Sequence, residues 1–205
     1  MALLAPGRRA LRACITASLL LVATASQAQW HDQNGNPLPE ASWRGEDKGL
    51  AGQLLLADIA ESNRFIEEWY STPTEHAPNI QVTSEARRGD IVELLVAFVN
   101  CAPDTADRDA LQRGEVPCTG TYDVVLRRPD GTPYAGSVST GLELAGKGGM
   151  AAPLGVVQLS PSSIRVRFEP DDPLGEYRFE VRMHNPARGA ELALSTTITV
   201  TDEAR

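Results

Sequence analysis

The chain has 205 residues, 42% of them hydrophobic and 22% charged, with a formal net charge of −8. That length suits one domain plus an extension, and it can bury a core without metals or many disulfides. The acidic balance argues against nucleic acid and anionic membrane surfaces as partners, because those are bound through Lys and Arg.

In chain order, Arg8, Arg9 and Arg12 come first, followed by the uncharged, apolar run Ala13 to Ala25. Ser26-Gln27-Ala28 then places small residues where a signal peptidase reads. The apolar run is shorter than the about 20 residues a membrane-spanning helix needs. Residues 1–28 therefore read as a cleavable signal peptide cut after Ala28, with Ala25 a weaker alternative. The mature chain is expected in the periplasm or outside the cell. Arg8-Arg9 is a weak twin-arginine signal. Cys14 does not suit lipidation, since Arg12 lies just before it and the apolar run follows it. Cleavage removes three arginines and takes the formal charge from −8 to −11. No later segment is apolar enough to cross a membrane.

Residues 29–78 read as a polar arm, a short strand and one helix. The arm is broken by Asn34-Gly35-Asn36-Pro37 and carries Trp30 and Trp43, which are expected to pack on their own domain. Gln53 to Ala57 reads as a strand. Asp58 and Glu61 have capping-box spacing. Phe65 with Trp69 and Ile66 with Tyr70 sit four apart, which predicts a helix near Glu61 to Tyr70. Pro73 and Pro78 end it.

From residue 79 to 201 the apolar period becomes two. Ile91 to Val99 is apolar on both faces, as in a central strand covered on both sides. Tyr122 to Leu126, Ile164 to Phe168, Tyr177 to Met183 and Leu192 to Val200 alternate apolar with polar, which predicts antiparallel strands with one buried and one solvated face. Pro129-Asp130-Gly131, Ser160 to Ser163, Pro170 to Pro173 and Asn185 to Gly189 punctuate them. Six to eight short strands separated by such turns predict a mostly β fold, an antiparallel β-sandwich with a short N-terminal helical extension. Residues 202–205 are a polar tail.

Two cysteines survive cleavage, Cys101 and Cys118, and an even pair in an oxidising compartment is expected to bond. Zinc would need four ligands, and His31, His76 and His184 are scattered.

Asp172-Pro173-Leu174-Gly175-Glu176-Tyr177 leads into an alternating strand and resembles the corner of immunoglobulin-like and fibronectin-like domains. The resemblance implies a structural role for Asp172, Gly175 and Tyr177, with the tyrosine hydroxyl bonded back to upstream backbone. In such a domain the Cys101–Cys118 bond staples the loop between the second and third strands rather than joining the two sheets. Phe65-Ile66-Glu67-Glu68-Trp69, the cysteine pair, Arg128-Pro129-Asp130-Gly131 and Gly175-Glu176-Tyr177, in that order, also resemble a group of small secreted bacterial proteins of unassigned function. That likeness is structural and implies no catalytic residue.

The chemistry-bearing residues are sparse. There is no Gly-x-Ser-x-Gly elbow, and no cysteine is left to act as a nucleophile. Asp104, Asp107 and Asp109, with Glu115 beyond, are candidate Ca²⁺ ligands on the cysteine loop, though their spacing departs from an EF-hand. Gly146-Lys147-Gly148-Gly149 lacks the residue order and βαβ setting of a phosphate loop. Arg127, Arg178 and Arg182, with Glu180 among them, fall on the solvated side of neighbouring strands, where they read first as cross-strand charge pairing on an ordinary exposed face and alternatively as a candidate docking face for an anionic partner. The expectation is a non-enzymatic exported interaction or structural module with a protein partner and no cofactor. One alternative is a Ca²⁺ or small-ligand domain using the Cys101–Cys118 loop. The other is a hydrolase whose site the sequence does not display.

Overall fold

The computed structural model describes Trp30 and residues 38–39, 41–73 and 78–202. The expected signal peptide and residues 29, 31–37 and 40 of the polar arm lie outside the described residues. Among the described residues ten strands and two helices follow one another: β1 (Arg44–Asp47), β2 (Leu50–Asp58), α1 (Ile59–Ser71), β3 (Glu85–Arg87), β4 (Ile91–Val99), α2 (Arg108–Gln112), β5 (Thr121–Arg127), β6 (Ser139–Glu143), β7 (Gln158–Leu159), β8 (Ile164–Arg167), β9 (Gly175–Asn185) and β10 (Ala190–Thr201). The fold is mostly β, in two sheets. The first runs β1-β2-β4, with both β7 and β8 pairing β4, and the second runs β3-β10-β9-β5-β6. Every pairing is antiparallel except the short β3–β10 pair, which is parallel.

The alternation read from the sequence has the right phase. Tyr177, Phe179, Val181 and Met183 of β9 all point inward and are buried. They meet Leu54 and Leu56 of β2 and Leu94, Val96 and Phe98 of β4 in one core between the sheets. Gly52 lets the sheets approach closely, since a Cβ there would sit 2.3 Å from the Met183 sulfur. The expected strand Gln53–Ala57 is longer, Leu50–Asp58, and it pairs along its length with β4. The first sheet therefore begins at Arg44, and the boundary expected at residue 79 does not separate an extension from the sandwich. The mixed pattern of β2 hid this, because both of its faces are covered.

The outer face of the first sheet is covered by α1. Phe65 packs on Leu55, Leu95, Ala97 and Leu159, with Trp30, Ile66 and Trp69 around them. Asp58 caps the helix, accepting from the backbone N–H of Ala60 and Glu61 at 2.9 Å each. The reciprocal half of the expected capping box is not made. Glu61 instead accepts from Arg64 and from the backbone N–H of Gln81, 2.7 Å away, tying the helix to the segment that follows it. Those two partners hold its carboxyl down at about 2.

One charged side chain lies beneath the helix. Glu93 points outward from β4, yet its side chain is 0% exposed. It accepts from Ser62 Oγ at 2.7 Å, from Ser163 Oγ, and from Arg165 Nε at 3.0 Å. Burial pushes its carboxyl up, but the two hydroxyls and the guanidinium outweigh burial and hold it below its ordinary value. The reading of β4 as apolar on both faces missed this residue.

Candidate functional site

The expected disulfide is present between Cys101 and Cys118. Cys101 lies two residues after the end of β4 in the first sheet, and Cys118 lies three before β5 of the second, so the bond closes the base of the loop that crosses between sheets. That base is held further by Asn185, a buried side chain on β9. Its Nδ2 donates to the Cys101 carbonyl at 2.9 Å, and its Oδ1 accepts from Thr119 Oγ1 at 3.0 Å. Arg188 adds Nε donation to the Ala102 carbonyl at 2.7 Å.

The three acids on this loop do not converge. Asp107 caps α2, accepting from the Ala110 N–H at 2.8 Å, and Asp109 lies within the first turn of that helix. Asp104 lies towards Arg188, whose charge it favours against the burial that lowers the Arg188 pKa. Among the described residues no group of three or more His, Cys, Asp or Glu side chains is placed to hold a metal. Capping accounts for the acid at 107, and a favourable place in the first helical turn for the one at 109. The Gly146-Lys147-Gly148-Gly149 stretch forms a turn, with the Gly149 N–H donating to the Gly146 carbonyl at 3.0 Å.

At the corner, Tyr177 Oη donates to the Pro173 carbonyl at 2.8 Å. The buried Asp172 carboxylate accepts from Tyr134 Oη at 2.6 Å and from the Glu169 N–H at 2.7 Å. Gly175 has φ +125°, a conformation that favours glycine, and a Cβ there would press on Pro129 Cγ at 3.3 Å. Burial, and then the Asp172 charge, raise the pKa of the Tyr177 phenol. The cluster is inward and closed, and its bonds fasten the turn before β9 to the core.

The three candidate docking arginines are brought together on the outer face of the second sheet. Pairing of β5 with β9 and of β9 with β10 lays down three rows of side chains: Asp123, Arg182 and Ala193; Val125, Glu180 and Ser195; Arg127, Arg178 and Thr197. Their outward direction follows from strand alternation, since the intervening residues fill the core. Arg127 would face Arg178 directly, but its Nε reaches diagonally to Glu180 Oε2 at 2.7 Å. Asp123 Oδ1 accepts from the Gly141 N–H at 2.8 Å, and its Oδ2 is 3.5 Å from His184 Nε2. Arg178 and Arg182 are exposed and have no side-chain partner among the described residues.

A groove of about 560 Å³ lies between these side chains, lined by Asp123, Arg127, Arg178, Arg182, Ala193 and Ser195 among others. It exists because the small residues Ala193 and Ser195 of β10 stand beside long arginines of β9. The sequence shows the arginines and the alternating face. It does not show Asp123, Ala193 and Ser195 as neighbours, because strand order decides that. Their small size and outward phase were the available signal. His184 Nδ1 is also 3.9 Å from Glu191 Oε1, and neither ring nitrogen bonds to a hydroxyl or thiol among the described residues.

No family model matches the sequence, and no curated protein sequence matches it. Among solved structures, an alkylpurine DNA glycosylase of Pseudomonas fluorescens bound to abasic-site DNA is similar over 58% of this chain and 27% of its own, at 13% identity and a TM-score of 0.34. A family 123 glycoside hydrolase from Clostridium perfringens is similar over 74% of this chain and 27% of its own, at 10% identity and a TM-score of 0.39. A CARDB domain from Pyrococcus furiosus, solved with two metal ions, is similar over 83% of this chain and 98% of its own, at 10% identity and a TM-score of 0.36. The chain thus spans about a quarter of the length of the first two. Likenesses this distant carry no argument about activity, and the DNA, glycan and metal ions belong to those proteins.

Proposed function

We propose that the mature chain is an exported, immunoglobulin-like interaction module that works without catalysis and docks a protein partner on the outer face of its second sheet. One observation carries the reading. Two exposed guanidiniums, Arg178 and Arg182, stand beside a groove on a sheet face, and among the described residues no carboxylate is bonded to either. Opposite charges on a solvated face can pair across strands, and here Arg127 pairs with Glu180 and Asp123 lies 3.5 Å from His184, while Arg178 and Arg182 are left over. The Cys101–Cys118 bond supports an oxidising compartment. No described helix is long and apolar enough to cross a membrane.

Site-specific photo-cross-linking in the native envelope tests the reading. A cross-linker at Thr197, on the face, should capture a defined partner. One at Glu67, on the exposed side of α1, should not. Equal labelling from both positions, or none from Thr197, would overturn it. Mass spectrometry of the exported protein should begin at Gln29, and a retained Met1 would contradict the export step.

A further inference from the structure

Resting on that docking reading, we infer that the occupant of the groove is an extended, mixed-charge protein segment bearing carboxylates four residues apart, one for Arg178 and one for Arg182. The spacing comes from the strand. Residues 178 and 182 lie on the same face of β9, about 13 Å apart at the rise of an extended chain. A second extended chain lying alongside has the same repeat, so its positions i and i+4 fall over the two guanidiniums with side chains on one side. The low floor of Val125, Ala193 and Ser195 leaves room for its backbone.

The residues between the arginines decide what kind of anion fits. Glu180 lies midway along the strand and Asp123 lies directly across from Arg182. Both are carboxylates, in a chain whose formal charge is −8. Each strand of a nucleic acid duplex carries a phosphate about every 3.4 Å of helix axis, so phosphates would be pressed onto Glu180 and Asp123 while reaching only two unpaired cations. Sparse carboxylates avoid that repulsion. At position i+2 the segment meets Glu180, already held by Arg127 at 2.7 Å, so a base or hydroxyl is accommodated there and an acid is not.

The test is selection of a random twelve-residue peptide library on phage against the mature protein, with counter-selection against R178Q/R182Q. Enriched sequences should carry an acid at i and i+4 and none at i+2. Synthetic copies should bind the single variants R178Q and R182Q about two- to fivefold more weakly, as expected of exposed ion pairs, and should not be displaced by a single-stranded oligonucleotide or heparin. Absence of enrichment, consensus sequences without the spaced acids, unchanged binding to the variants, or displacement by either polyanion would overturn the inference. If the Thr197 cross-linker still captures a partner in that event, only the charge pattern falls. If it captures nothing, the docking reading falls as well.

Discussion

The two sheets turn opposite kinds of outer face to their surroundings. The first is covered by α1, and beneath the helix lie Leu55, Leu95, Ala97 and Leu159 around Phe65. The second has no helix over it among the described residues and presents Asp123, Arg127, Arg178, Glu180, Arg182 and Ser195. The charge that each face carries is handled differently. On the covered side Glu93 is fully buried and takes three donors, because an unpaired carboxylate in a dry layer would cost several kcal/mol. On the open side water solvates what the protein leaves unpaired, so Arg178 and Arg182 cost little and remain available. Burial demands complete pairing, and exposure permits a face whose pairing a partner can complete.

The largest effect should come from stripping the covered face. Phe65→Ala removes the side chain that anchors α1 and should cost about 3–5 kcal/mol, as other buried aromatic truncations do. Urea denaturation would measure it, and an unchanged midpoint would mean that the helix does not contribute to the fold. Tyr177→Ala should cost a similar amount from the central core, whereas Tyr177→Phe loses only the bond to the Pro173 carbonyl, about 1 kcal/mol.

Glu93 sharpens the contrast. Glu93→Gln keeps the shape but leaves Arg165 without a carboxylate and weakens two hydroxyl bonds, which should cost about 2–3 kcal/mol at neutral pH. Its folded-state pKa is depressed, so its contribution is present above the unfolded value of about 4.3 and is lost as pH falls through the folded value. Stability measured between neutral pH and about pH 3 should therefore fall less steeply for Glu93→Gln than for the wild type. Parallel curves would show that the pKa of Glu93 does not change on folding, and a wild type that gains stability relative to Glu93→Gln as pH falls would show that Glu93 is protonated in the folded protein.

The smallest effects belong to the open face. Arg178→Ala and Arg182→Ala should each change stability by no more than about 0.5 kcal/mol. Arg127→Ala, which breaks a pair whose side chains are 37% and 38% exposed, should cost no more than about 1 kcal/mol. Thermal melts would check all three. A large loss at Arg178, one residue from the core position Tyr177, would mean that the outer face is structural rather than a place to dock.

Much of this contrast was legible in the residues themselves. Alternation in β9 placed Tyr177 inside and Arg178 outside, because one buried face and one solvated face impose a period of two. The disulfide pair, the helix near Phe65 and the arginines of the candidate face also came from local pattern, since each depends on residues close in sequence or on residue type alone. Long-range pairing decided the rest. Only the β2–β4 register made Leu50–Asp58 part of the first sheet, and only the packing of α1 turned Glu93 from an outward charge into a buried one. Only the order β5-β9-β10 set Ala193 and Ser195 beside Arg182 and Glu180 to form a groove. Local sequence sets which way a side chain points along its own strand. Which strand lies next to it, and what covers the outside, is settled by contacts between segments far apart in the chain, and there the tertiary structure alone determined the site.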